Sequence, residues 1–248
     1  GNSTQYQISI PSYTSLYNKN IIKVSARIKT SFFLENDGTV WACGNGSYGQ
    51  IGDGSVGYIN LLPKIINTVS GITDIATGDH TLFLKKDGTV WACGRNHQGQ
   101  LGKSGSQYEI NPFQINNLND VIGIATGSSH SLFLKKDGTV WACGNSTFGQ
   151  LGFSTSPSTG ANMPTKINDL NNVKAIACGP NFSLFLLDDG TVYSCGDNSK
   201  GQLGDGTTIS HTIPTKVNGL TGITSISAGS RFSYFLKNDG TVWACGSI

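Results

Sequence analysis

Apolar and polar residues alternate along this chain in short bursts, and the bursts recur. ITDIAT (72–77), VIGIAT (121–126), VKAIAC (173–178) and ITSISA (223–228) are Ile/Val-rich stretches of strand length. A Gly-containing bend leads each into a second apolar stretch, at Thr81–Leu84, Ser131–Leu134, Ser183–Leu186 and Ser233–Leu236. An Asp-Gly pair comes next and predicts a tight two-residue hairpin, because both residues tolerate positive φ. The third strand is TVWAC (89–93) and its copies. A shorter fourth segment begins at proline, around Pro63–Ile66, Pro112–Ile115, Pro164–Ile167 and Pro214–Val217. Proline at its start suits an outer edge strand, where one missing N–H costs little. The pattern predicts an all-β fold.

The period sharpens that expectation. The Asp-Gly pairs start at Asp37, Asp87, Asp137, Asp189 and Asp239, spaced 50, 50, 52 and 50 residues apart. Four strands in about 50 residues is the size of one blade of a β-propeller. The repeats run over about 21–70, 71–120, 121–172, 173–222 and a partial 223–248. The last copy supplies three strands, while Ile8–Pro11 looks like a spare segment leading to a fourth strand. Residues 1–20 are therefore expected to pair with the last copy and close a five-bladed ring in a single domain, 1–248. Such pairing satisfies strand edges that would otherwise invite aggregation. The competing expectation is a portion of a larger, seven-bladed ring.

Some positions repeat without change. Glycine recurs at 44/94/144/196, 49/99/149/201 and 52/102/152/204, which marks backbone conformations that other residues would strain. Gln50, Gln100, Gln150 and Gln202 recur beside them and are expected to bond backbone groups of their own or the next blade. The string D-G-T-V-W-x-C-G-x-N-x-x-G-Q-L-G, preceded by A-x-G-x-x-H-S-L-F-L, resembles the repeat of the regulator of chromosome condensation family. GSSHSLFL at Gly127–Leu134 and GDNSKGQLG at Gly196–Gly204 match it closely. The resemblance implies a propeller with one four-stranded blade per repeat, usually seven in that family. It also implies three kinds of activity: guanine-nucleotide exchange on a small GTPase, secreted inhibition of an enzyme, or interaction with a protein partner.

Charge removes other classes. Lys plus Arg number 17 and Asp plus Glu 15, with no basic cluster, which is no footprint for nucleic acid. No run of about 18 apolar residues offers a membrane span. Four scattered histidines and no Cys-x-x-Cys spacing predict neither a metal site nor a cofactor. His80 and His130 share a position that later copies fill with Phe182 and Phe232, so packing is expected of them; His97 and His211 read as isolated loop residues. Cys43, Cys93, Cys143, Cys195 and Cys245 are one position repeated, with Cys178 extra. Equivalent points on neighbouring blades lie too far apart for disulfides, so free thiols acting as small apolar residues are expected. The repeated tryptophans are assigned to packing between blades.

What differs between copies is free to bind. The variable loops carry Tyr48, Tyr58, His97, Tyr108, Phe148 and Phe153, and exposed aromatic groups often anchor protein partners. No nucleophile elbow, phosphate loop or unduplicated acid pair suggests catalysis. The sequence therefore predicts a monomeric, non-catalytic scaffold that binds a protein partner through these six residues. The abundance of Asn, Ile and Lys suggests a bacterial source, with the cytoplasm or a secreted location both open.

Overall fold

The computed structural model of this protein describes residues 16, 18–27, 29–57, 60–153 and 160–247. These hold nineteen strands in five antiparallel sheets, and no helix. The first blade is β1 (Ile21–Arg27), β2 (Thr30–Glu35), β3 (Val40–Gly44) and β4 (Asn60–Ile65). The second is β5 (Ile72–Thr77), β6 (His80–Lys85), β7 (Val90–Arg95) and β8 (Tyr108–Gln114). The third is β9 (Val121–Thr126), β10 (His130–Lys135), β11 (Val140–Gly144) and β12 (Ala161–Lys166). The fourth is β13 (Val173–Cys178), β14 (Phe182–Leu187), β15 (Val192–Gly196) and β16 (His211–Lys216). The fifth is β17 (Ile223–Ala228), β18 (Phe232–Lys237) and β19 (Val242–Gly246). Strands pair in chain order within each sheet. Each blade's first strand packs beside the first strand of the next, and residues of all five line one central cavity. The molecule is a five-bladed β-propeller. The expected closing strand, centred on Ile8–Pro11, lies outside the described residues.

Two local expectations need correction. The hairpin between the second and third strands has three loop residues, not two. Lys85 N bonds Thr89 O, and Gly88 N bonds Lys85 O. Only the glycine takes positive φ, at 79°; Asp87 instead accepts bonds from the Thr89 amide and hydroxyl. The fourth strand begins about three residues earlier than expected, so its proline is internal. Pairing steps from Gly94↔Glu109 to Ala92↔Phe113, and Pro112 falls in the irregular step. Pro63, Pro164 and Pro214 occupy the same step in their blades. A bulge on an outer strand asks for no ladder N–H at that point, which makes room for proline.

Apolar cores lie between blades. Val40, Phe32 and Leu34 of the first blade meet Ile75, Phe83 and Cys93 of the second, and equivalent clusters fill the next three interfaces. The second strands of the second, third and fourth blades are buried on both faces, so they read as continuous apolar runs rather than alternations. Val40, Val90, Val140 and Val192 are at most 1% exposed because the following blade covers them. The equivalent Val242 of the fifth blade is 65% exposed, and its neighbour Trp243 is 48% exposed.

Candidate functional site

The loop that leaves each third strand is built to a common plan. The recurrent glutamine folds back so that its side-chain Oε1 accepts the amide of the residue two before it. Tyr48 N to Gln50 is 2.9 Å, Gln98 N to Gln100 2.9 Å, Phe148 N to Gln150 3.0 Å and Lys200 N to Gln202 2.8 Å. The same glutamine's carbonyl reaches the next blade, accepting hydroxyls from Thr81, Ser131, Ser183 and Ser233 at 2.7–2.8 Å. Thiols of Cys93, Cys143, Cys195 and Cys245 point at the same carbonyls. Each glutamine thus bonds both its own loop and the following blade, as the repeat suggested. Gly49 sits at φ +75°, and a Cβ there would stand 2.7 Å from Ile110 Cα of the second blade. Glycine is the residue that lets the loop approach so closely.

Against this frame, the second blade departs. Asn45, Asn145 and Asp197 each accept the amide two residues on, at 2.7, 2.6 and 3.0 Å. Arg95 occupies that position in the second blade, and a guanidinium accepts nothing. It reaches outward instead. Its Nη1 is 3.1 Å from Asp79 Oδ2, and its Cζ stands 5.2 Å from the Tyr48 ring centre. The Tyr48 ring meets the His97 ring edge-on, with centroids 6.5 Å apart and planes at 86°. Tyr108 is the register partner of Arg95 and is 47% exposed. Tyr48, His97 and Tyr108 therefore gather around one arginine on the loop face across the first and second blades. Residue comparison had not singled out Arg95 or Asp79. The signal was present, because Arg95 breaks the Asn/Asp series at its position.

The remaining candidates lie apart. Phe148 is 40% exposed on the third blade's loop. Phe153 is half-buried and packs against the core between the third and fourth blades. Tyr58 is outside the described residues.

The histidines divide in two. His80 and His130 are fully buried, with Nε2 2.8 Å from Ser131 Oγ and 3.1 Å from Ser183 Oγ of the following blades. Burial, with a smaller push from Arg27, holds both imidazoles down to about 3, so they stay neutral. His211 is not isolated: it opens β16, and its Nε2 is 2.5 Å from Asp205 Oδ2. Burial alone would raise the Asp205 carboxyl. Bonds from Thr207, His211 and Asn198 outweigh it and bring the group to about 2. All six cysteines are free, and burial raises the thiols of Cys93, Cys143 and Cys195. Among the described residues no group of three or more His, Cys, Asp or Glu could hold a metal. Among the described residues no helix is long and apolar enough to cross a membrane.

Solved structures share this architecture. Yeast RCC1 (Prp20), in its complex with Kap60, superposes with a TM-score of 0.81 at 27% identity, over 93% of this chain and 57% of that one. Human WBSCR16 gives 0.78 at 23% identity, over 93% and 59%. The chain thus spans a little over half the length of these structures. A segment of 33 residues is 67% identical to the human probable E3 ubiquitin-protein ligase HERC3, covering 13% of this chain and 3% of that protein. Residues 1–247 match the sequence model of the RCC1-like domain, and the chain belongs to that family.

Proposed function

We propose that this protein is a non-catalytic scaffold that captures a protein partner on the loop face carrying Tyr48, His97, Tyr108 and Phe148. One observation carries the reading. The glutamine frame is the same in every complete blade, yet on the second blade an arginine replaces the frame's Asn/Asp and assembles aromatic groups around itself. Tyrosine, tryptophan and arginine are the residues most often found at the energetic centres of protein interfaces. Rigid blades with variable loops suit this role, since the frame holds the loops at little entropic cost. Related propellers bind proteins: yeast RCC1 was solved with Kap60, and binding of Prp20p to Gsp1p and histones has been described. Nucleotide exchange remains the alternative, supported by that likeness and by no distinct feature of this face.

The test is affinity capture from lysate and culture medium of the source organism, comparing the native chain with Tyr48→Ala/His97→Ala/Phe148→Ala. The expected result is a protein retained by the native chain and lost by the variant, with both melting at the same temperature. Equal retention would remove this face from the proposal.

A further inference from the structure

The central cavity holds a second departure from the repeat. Its volume is about 780 Å³, and residues of all five innermost strands line it. That volume falls in the usual range for small-molecule sites. Where β1 ends, Arg27 stands at the position of Gly78, Gly127, Gly179 and Gly229. In the third, fourth and fifth blades glycine is needed there because a ring packs over it. A Cβ on Gly127 would lie 2.1 Å from the His130 ring, and on Gly179 1.9 Å from the Phe182 ring. In the first blade the ring position is Thr30, which frees position 27 to carry a side chain.

Arg27 uses that freedom to cross the channel. Its Cδ would stand 3.7 Å from a Cβ on Gly78, and its Nη1 donates to the Thr126 carbonyl of the third blade. Among the described residues Arg27 has no ion pair, and Asp79 near it is held by Arg95. Among the described residues no carboxylate lines the cavity. Lys23, also on the wall, is paired with Asp74. Cys178 remains a thiol, its ionisation opposed mainly by burial.

The hydroxyls follow the same rule of departure. Two residues before Arg27 and its equivalents the chain reads Ser25, Ala76, Ala125, Ala177 and Ser227. Serine thus appears only in the first and fifth blades, on the wall beside Arg27. Ser128 and Ser230 add two more lining hydroxyls. Among the described residues the hydroxyls of Ser25, Ser128, Ser227 and Ser230 have no protein partner.

From this geometry we infer that the central cavity binds a small organic anion, its carboxylate or phosphate held by the Arg27 guanidinium and its other polar atoms by Ser25, Ser227, Ser128 and Ser230. A guanidinium has five N–H donors in a planar fork that matches either anion, and one carbonyl leaves most of that fork unused. This site is independent of the loop-face aromatics.

Isothermal titration of the full chain with citrate, glucuronate and inorganic phosphate tests it and separates carboxylate from phosphate. The native chain should bind at least one of the three. Arg27→Gly, the residue of the other four blades, should weaken that binding at least tenfold. Arg27→Gln should do the same while keeping the side chain's bulk, which guards against misfolding of the glycine variant. Ser25→Ala/Ser227→Ala, again residues of other blades, should weaken it several-fold. No binding of any of the three by the native chain, or equal binding by both Arg27 variants, overturns the inference.

Discussion

Arg95 and Asn145 hold the same place in their blades and do opposite things. Asn145 closes its own loop by accepting the Thr147 amide. Arg95 gives up that turn and supports Tyr48 of the preceding blade instead. Its ion pair with Asp79 is partly exposed, so its removal is cheap. Arg95→Ala should therefore lower stability by no more than about 1 kcal/mol, read by urea unfolding, while partner capture falls as far as with Tyr48→Ala. His130 makes a different prediction. Its imidazole is held down to about 3 in the fold, against 6.5 for the free group. The unfolded chain therefore binds the proton first. This contribution to stability is complete above pH 6.5 and drains away as pH falls toward 3. Each buried histidine steepens the loss by about 1.4 kcal/mol per pH unit in that window. His130→Phe, the residue found at 182 and 232, should halve the slope due to His80 and His130 together. Unfolding curves at pH 7, 5.5 and 4.5 would measure it; an unchanged slope would mean that His130 is protonated in the fold.

At the scale of the strand, the innermost stretches were legible to the residue. ITDIAT, VIGIAT, VKAIAC and ITSISA coincide with β5, β9, β13 and β17, because an apolar run bounded by glycine bends has few other uses. The outer strands begin about three residues before the proline that marks their expected start. Proline's missing N–H is satisfied equally well inside a bulge, and only cross-strand register distinguishes the two. The hairpins were misjudged for a related reason. Asp-Gly suits a two-residue turn and also a three-residue loop in which Asp accepts bonds and glycine alone turns left-handed. Position in the ring also sets what a side chain is worth. Val140 is fully covered by the fourth blade, while Val242 is mostly open. Val140→Ala should cost about 2 kcal/mol, and Val242→Ala less than about 0.5 kcal/mol. Equal costs, measured by chemical unfolding, would show that the open face is covered in solution.

Over the whole molecule, comparison of the copies separates the shared frame from the loops that vary, but only where equivalent residues are compared. Tyr48, His97 and Phe148 are legible as loop residues, whereas Tyr108 opens β8. The convergence of Tyr48, His97 and Tyr108 on Arg95 is not legible, since it depends on a contact between blades that no single repeat contains. The frame itself has a direction: every glutamine carbonyl accepts from the blade that follows it. Ser131→Ala removes one such bond and the His80 contact, and Ser233→Ala removes another two interfaces away. Each should cost about 1–2 kcal/mol, and the double variant should equal their sum within about 0.5 kcal/mol. The glutamine locks couple only adjacent blades, so the frame behaves as a series of separate joints rather than as a vault. Damage at one joint stays there, so amide exchange should quicken in the two blades flanking a broken lock and keep its native pace in the blade farthest away.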